Sequence, residues 1–159
     1  MAAGDPHLPI EIHPIERADV ELVRPLIDEF VHTHTRLSFR DDYWAACRDW
    51  LLRVAGEPEA IVLGARAAGN VAGLLTARVE ENGPLLSPRK IGYIPLLVVS
   101  PHSRRQGIGR ALWQTARDWL LAQGIHEVQL YTEAGNAVSG GFWERIGFSV
   151  FTERRKLLI

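Results

Sequence analysis

The chain has 159 residues, 47% of them apolar and 23% charged, with a net charge of −1, the balance of a globular domain with one sizeable core. That charge makes no electrostatic case for a nucleic-acid or membrane-surface partner, and the lone cysteine, Cys47, leaves neither a disulfide framework nor a cysteine zinc cluster, a usage that fits the cytoplasm. The opening MAAGDPHLPIEI has no basic region ahead of an apolar core, so no signal peptide is read there, and no apolar run approaches membrane-spanning length.

Residues 8–15 (LPIEIHPI) alternate as a first strand. Asp19 is placed to cap a helix over residues 20–31, with Val23, Leu26, Ile27 and Phe30 as its buried stripe. Pro25 falls inside that stripe and either kinks the helix or shifts its start. His32 and His34 follow two residues apart. They are metal-ligand types, but no third ligand stands near, so the stretch reads as a loop, solvated or lining a cleft. Ser38 or Asp41 caps a second helix with Tyr43, Cys47, Trp50, Leu51 and Val54 on one face, where Cys47 is a small core residue.

Ala60–Ala67 and residues 71–80 form a hairpin around Gly69 and Asn70. A loop over 81–90 carries Gly83, Pro84 and Pro88. Residues 91–100 are an apolar, β-branched strand that Pro101 stops, because proline cannot donate to a ladder. Ile108, Leu112, Ala116, Trp119 and Leu120 repeat at helical spacing as far as Gly124. Residues 127–132 form the next strand, and strand–helix–strand makes it parallel to 91–100. Asn136 precedes a short helix with Val138, Phe142 and Ile146 on one face, which Gly147 ends. Residues 148–159 read as a last strand. No repeat, linker or low-complexity segment interrupts the chain, which reads as one domain over 1–159.

The chemistry concentrates where the apolar strand meets the helix. Arg104-Arg105-Gln106-Gly107-Ile108-Gly109 places two glycines one residue apart at a helix start. Glycine lets the backbone approach a ligand closely, and a helix N-terminus offers unpaired N–H groups and the positive end of a dipole. With two arginines beside it, the turn is an anion site suited to a pyrophosphate. It is not a Rossmann fingerprint, since Leu112 stands where a third glycine belongs and Glu127 starts the following strand rather than ending it. Nor is it a P-loop, because the chain has no Gly-Lys pair.

Val99-Ser100-Pro101 followed by Arg104-x-x-Gly107-x-Gly109 resembles the acyl-CoA-binding motif of the GNAT superfamily of N-acetyltransferases. A second segment, Asn136, Phe142, Trp143, Gly147 and Phe148, is similar to that family's Asn-x-x-Ala…Phe-Tyr…Gly-Phe block, in the same order and spacing. The resemblance implies an α/β fold with a mixed, mostly antiparallel sheet and helices on both faces. It implies acetyl transfer from acetyl-CoA to a primary amine of a small molecule or a protein by direct attack in a ternary complex, with no metal, and self-association as a homodimer through the C-terminal strands.

Carried over residue by residue, the resemblance assigns the pyrophosphate to backbone N–H groups of Arg105, Gln106, Gly107, Ile108, Gly109 and Arg110, with Arg104 opening the motif. A bulge in the central strand frees backbone N–H groups near Leu97, Val98 and Val99 for the thioester oxyanion, and splays the strand so that pantetheine lies beside it. Asn136 contacts cofactor or backbone, or caps its helix. Two usual proton carriers are missing: Trp143 replaces the tyrosine that acts as acid, and Pro95 stands at the strand glutamate. Indole N–H donates but does not titrate usefully, so Trp143 hydrogen-bonds the departing sulfur or packs against cofactor or core. A lysine-like amine of pKa about 10.4 is neutral in roughly one molecule in two thousand at pH 7, so a base or a water chain to one is needed. Tyr131 and Glu80 are chosen for proton transfer, ahead of Tyr93, Glu133 and the histidines of the 32–34 loop. Two other readings remain open: an acyl-CoA-binding module with little catalysis, and a transferase using another acyl group.

Overall fold

The computed structural model describes residues 9–159; Leu8 of the expected first strand and most of the segment searched for a signal peptide lie outside them. Five strands form one sheet in the order β1-β2-β3-β4-β5. They are β1 (Glu11–Pro14), β2 (Ala60–Ala67), β3 (Asn70–Glu81), β4 (Lys90–Val99) and β5 (Val128–Gln129). The first three junctions are antiparallel and β4–β5 is parallel. The helices α1 (Arg24–Thr33), α2 (Tyr43–Val54), α3 (Ile108–Ala122) and α4 (Ala137–Arg145) divide between the two faces. The sheet is therefore mixed and mostly antiparallel, with both faces covered, as expected.

Each face has its own core. Leu26, Ile27, Leu51 and Val54 of α1 and α2 meet Val62, Leu74, Leu96 and Val98 on one side. On the other, Ile108, Leu112 and Ala116 of α3 meet Leu63, Ala65, Leu75 and Ile94. The α3 stripe of Ile108, Leu112, Ala116 and Leu120 is buried at four-residue intervals, the spacing of one helix face. Close approach at its N-terminal end depends on Gly73 of β3. A Cβ there would lie 2.8 Å from Ile108 Cγ2 and 3.0 Å from Leu112 Cδ1.

Several local expectations give way to tertiary structure. The first helical segment divides into a 3-10 helix, Arg17–Val23, and α1, with Pro25 in the first turn of α1. There a missing N–H costs nothing, so proline shifts the start instead of kinking the helix. Asp19 caps nothing and pairs with Arg66 at 3.5 Å. Neither Ser38 nor Asp41 caps α2: the cap position is Asp42, whose carboxylate is taken by Arg40 at 2.7 and 2.8 Å. The hairpin turns at Ala68 and Gly69, both at positive φ (51° and 79°), the backbone twist that tight two-residue hairpins adopt. In α4 the buried residue is Trp143, whereas Val138, expected on the inner face, is 71% exposed.

The largest departure is at the C-terminus. Residues 148–159 form no strand, and Val150, Phe151, Leu157, Leu158 and Ile159 are exposed. A strand needs a ladder partner, and the adjacent β5 is itself paired over only two residues. The charged run Glu153-Arg154-Arg155-Lys156 also breaks the alternation a half-buried strand would need.

Candidate active site

The site is built from an irregularity in β4. Thr76 pairs with Leu96 and Arg78 with Tyr93, so Ile94 and Pro95 together oppose Ala77 alone. That is a β-bulge, and its extra residue leaves the ladder. A proline is tolerated there because its missing N–H is not needed. The bulge therefore lies at Ile94–Pro95, just ahead of the Leu97–Val99 stretch to which the free N–H groups were carried over.

The extra residue reverses which backbone groups face which neighbour. Before the bulge, Gly92 N–H donates to Glu127 O toward β5 at 2.8 Å; after it, Ser100 N–H donates to Ala72 O toward β3 at 2.8 Å. Alternation along β4 then directs Val98 to β3 and turns Leu97 and Val99 to the opposite edge. On that edge the β4–β5 pairing ends at Tyr93↔Gln129. The backbone of Leu97 and Val99 thus borders an opening between two parted strands.

The opening leads to the glycine turn. Pro101–Ser103 form a short 3-10 turn, and Gly107 precedes α3 with φ +87°. A Cβ on Gly107 would meet nothing closer than Ile10 Cδ1 at 4.0 Å. Glycine is required there for its left-handed backbone rather than for space. Arg105 also sits at positive φ (63°), a strained conformation for a residue with a side chain. Left-handed residues in a turn aim successive N–H groups into a concavity suited to anions. Gly109 is different: a Cβ would lie 3.2 Å from Phe142 Cε2 and Cζ and 3.8 Å from Val99 Cγ2. The Phe142 ring therefore lies closest to this turn, although sequence reasoning had singled out its neighbour Trp143.

Trp143 is 6% exposed and packs edge-on against Phe142, Phe148 and Trp113, with centroids 5.0, 5.0 and 6.2 Å away. Asn136 caps α4, its Oδ1 accepting Ser139 N–H at 3.1 Å. Arg104 does not project freely toward the turn. Its Nε donates to Val99 O at 3.2 Å and its Nη2 to Glu29 Oε1 at 2.6 Å. Gln106, Ile108 and Arg110 complete the turn and the first residues of α3; Ile108 is buried, while Arg105 and Arg110 are exposed.

The proton-transfer candidates gather around Tyr93 at the point where the strands part. Tyr93 and Tyr131 pack edge-on with centroids 6.0 Å apart, and the Arg154 guanidinium lies 5.5 Å over the Tyr131 ring. Burial, then the neighbouring Tyr131 and Glu80, raise the Tyr93 phenol above its ordinary value. Tyr131 is 65% exposed. Glu80 shares the row with Arg78, whose Nε lies 3.1 Å from its Oε1. Glu133 lies elsewhere, accepting the backbone N–H of Arg36.

The other candidates have local roles. His34 terminates α1, with Nδ1 2.7 Å from Phe30 O and its ring stacked on Phe30 at 4.0 Å. Among the described residues no three His, Cys, Asp or Glu side chains gather as metal ligands. Burial pushes the Cys47 thiol up to about 11, which suits a core residue and not a nucleophile. Among the described residues no helix is long and apolar enough to cross a membrane.

Comparison with known proteins places this geometry. The family model described as the acetyltransferase (GNAT) family matches residues 22–148. The mycothiol acetyltransferase of Paenarthrobacter aurescens is 30% identical over 101 residues, covering 63% of this chain and 29% of that protein. The chain thus spans under a third of the length of the mycothiol acetyltransferases it matches. Among solved structures, a GCN5-related N-acetyltransferase from Ralstonia eutropha superposes with a TM-score of 0.71 at 27% identity, covering 94% of this chain and 99% of that one. A predicted acetyltransferase of Clostridium acetobutylicum, solved with acetyl-CoA, gives a TM-score of 0.78 at 14% identity, covering 94% and 96%. At that identity it speaks for the fold alone.

Proposed function

This chain belongs to the GNAT family of acetyltransferases, and from that we propose that it transfers an acetyl group from acetyl-CoA to a primary amine within a ternary complex. The observation that carries the reading is the opening between β4 and β5 beyond Tyr93↔Gln129, which runs to the left-handed turn at Gly107. The backbone of Arg105 to Arg110 would hold the pyrophosphate at the α3 N-terminus, where N–H groups and the helix dipole favour negative charge. The pantetheine arm would lie along the free edge of β4, where Leu97 offers a backbone donor and acceptor and Val99 a backbone donor. A backbone N–H on that edge would also stabilise the oxyanion as the amine attacks the thioester carbonyl.

The amine proton leaves through Glu80, and Tyr131, packed edge-on against Tyr93, protonates the departing thiolate. The acceptor would enter from the α1–α2 side, where an open groove of ≈ 530 Å³ is lined by Pro25, Asp28, Glu29, Val31, His32 and Tyr43. Relatives named mycothiol acetyltransferase, N-alpha-acetyltransferase and ribosomal-protein-alanine N-acetyltransferase support an amine acceptor of small-molecule or protein type.

A second reading, an acyl-CoA-binding module with little catalysis, draws on the occupied state of the proton carriers. Glu80 is paired with Arg78, Tyr131 is largely in solvent, and Trp143 is packed in the core. The deciding experiment is calorimetric titration of acetyl-CoA into the wild type and Gly107→Glu, then an amine panel read by release of free CoA thiol. We expect the wild type to bind and the still-folded variant to lose at least about a hundredfold in affinity, since glutamate is strained at φ +87° and repels phosphate. Binding without turnover on any amine would favour the second reading. No binding by the wild type would remove both.

A further inference from the structure

The guanidinium of Arg104 is engaged on two sides. One nitrogen donates to the carbonyl of Val99, on the open edge of β4, and another to the Glu29 carboxylate of α1, whose side chain is only 20% exposed. The contact links three parts of the molecule that are far apart in sequence: the acceptor-side helix, the end of the parted strand, and the start of the glycine turn. Arg104 follows the Pro101–Ser103 turn directly, so its backbone sets where the Gly107 turn begins. Glu29 also lines the groove on the α1–α2 side.

Two consequences follow from the chemistry of the pair. An extended ligand hydrogen-bonding along the free edge of β4 finds the Val99 carbonyl already taken, so its strand-like pairing stops there. A guanidinium whose charge is met by a carboxylate at 2.6 Å contributes little net attraction to a phosphate nearby. The exposed Arg105 and the backbone N–H groups of the turn are left for that task.

We infer that Glu29 is a positioning residue for the acyl donor: it clamps Arg104 onto the Val99 carbonyl, and Arg104 serves as a strut between strand edge and glycine turn instead of as a phosphate ligand. The inference rests on the acetyl-CoA reading above. It predicts that the two residues act as one unit in donor binding, and that the intact pair adds nothing to its dependence on salt.

The test is calorimetric titration of acetyl-CoA at two ionic strengths. The proteins are the wild type, Glu29→Ala, Glu29→Gln, Arg104→Ala, the Glu29→Ala/Arg104→Ala double variant and Arg105→Ala, with thermal melts to confirm folding. Glu29→Ala and Arg104→Ala should each weaken binding about threefold to tenfold, the range of a partly buried ion pair. The double variant should be no weaker than the worse single one, as expected of residues sharing one interaction. Glu29→Gln, which keeps an acceptor oxygen, should recover part of the loss. Salt dependence should match the wild type in the double variant, which removes both charges of the pair, and flatten in Arg105→Ala, because screening reports the charges that meet the phosphate.

Tighter binding by Glu29→Ala, a flattened salt dependence in the double variant, or additive losses would overturn the strut. So would an unchanged affinity in Glu29→Ala while the wild type binds. A wild type that binds no acetyl-CoA overturns the acetyl-CoA reading itself, and the strut with it.

Discussion

The two halves of β4 teach different lessons about how one strand can be both scaffold and site. From Lys90 to Tyr93 it is laddered to β3, and at Gly92 and Tyr93 to β5 as well. From Leu96 to Val99 it is laddered to β3 alone, with its other edge open. The side chains switch faces across the bulge but stay buried. Leu96 and Val98 fill the core under α1 and α2, and Ile94 fills the core under α3, at 4 to 6% exposure. The difference lies in the backbone, where one extra residue at Ile94–Pro95 reverses the direction of every following N–H and C=O. Side chains hold the strand, and peptide groups line the opening.

The sharpest way to break that division is to damage one side of it. Leu96→Ala removes a buried side chain from the open half of β4 without touching a peptide group. It should cost about 2–5 kcal/mol of stability, the usual cost of a large-to-small change in a core. Below its melting transition the variant should bind acetyl-CoA within about twofold of the wild type, the reverse of Gly107→Glu. Denaturant melts together with calorimetry check this. A variant that stays stable and loses the donor would mean that the Leu96 side chain, not the backbone, shapes the opening.

Proton transfer is the next step down in effect. Tyr131→Phe and Glu80→Gln should each lower kcat about a hundredfold on an accepted amine, the lower end for a lost general acid or base, with donor affinity unchanged. Steady-state kinetics with donor and acceptor varied in turn would show it. Equal losses in a Tyr93→Phe control would transfer the role to the half-buried tyrosine, which stands where the strands part. Unchanged kcat in all three would leave positioning and the oxyanion site to carry the reaction.

The same contrast explains what could be read from the residues alone. Gly107 announced its turn because only glycine sits easily at that φ, and the α3 stripe announced its helix because burial repeats at helical spacing. Those signals are local. The bulge came only with the resemblance, which put its free N–H groups near Leu97–Val99, and its place at Ile94–Pro95 depends on the register with β3, which no local pattern states. Glu29 gave no signal: a glutamate in a helix 75 residues before Arg104 meets it only once the sheet has formed. The expected strand over 148–159 failed for the same reason in reverse, since apolar residues there had no ladder partner to make them a strand. Helix stripes and glycine turns are written locally, while pairing, register and long-range ion pairs are properties of the folded sheet.

Asn136 gives the smallest and most discriminating effect, because it stands at the boundary between scaffold and site. Its Oδ1 accepts the Ser139 N–H at the start of α4, and α4 carries the Phe142 ring that lies against Gly109. Loss of the cap in Asn136→Ala should cost about 1 kcal/mol, which in a chain of this size lowers Tm by about 2–4 °C. If capping is its whole task, acetyl-CoA affinity stays within about twofold, and Asn136→Asp, which also caps, restores Tm. A tenfold loss of donor affinity at an unchanged Tm would instead make Asn136 part of the donor site. The division drawn along β4 would then fail at this helix, with a side chain taking on the role proposed for the backbone at Leu97, Val99 and the Gly107 turn.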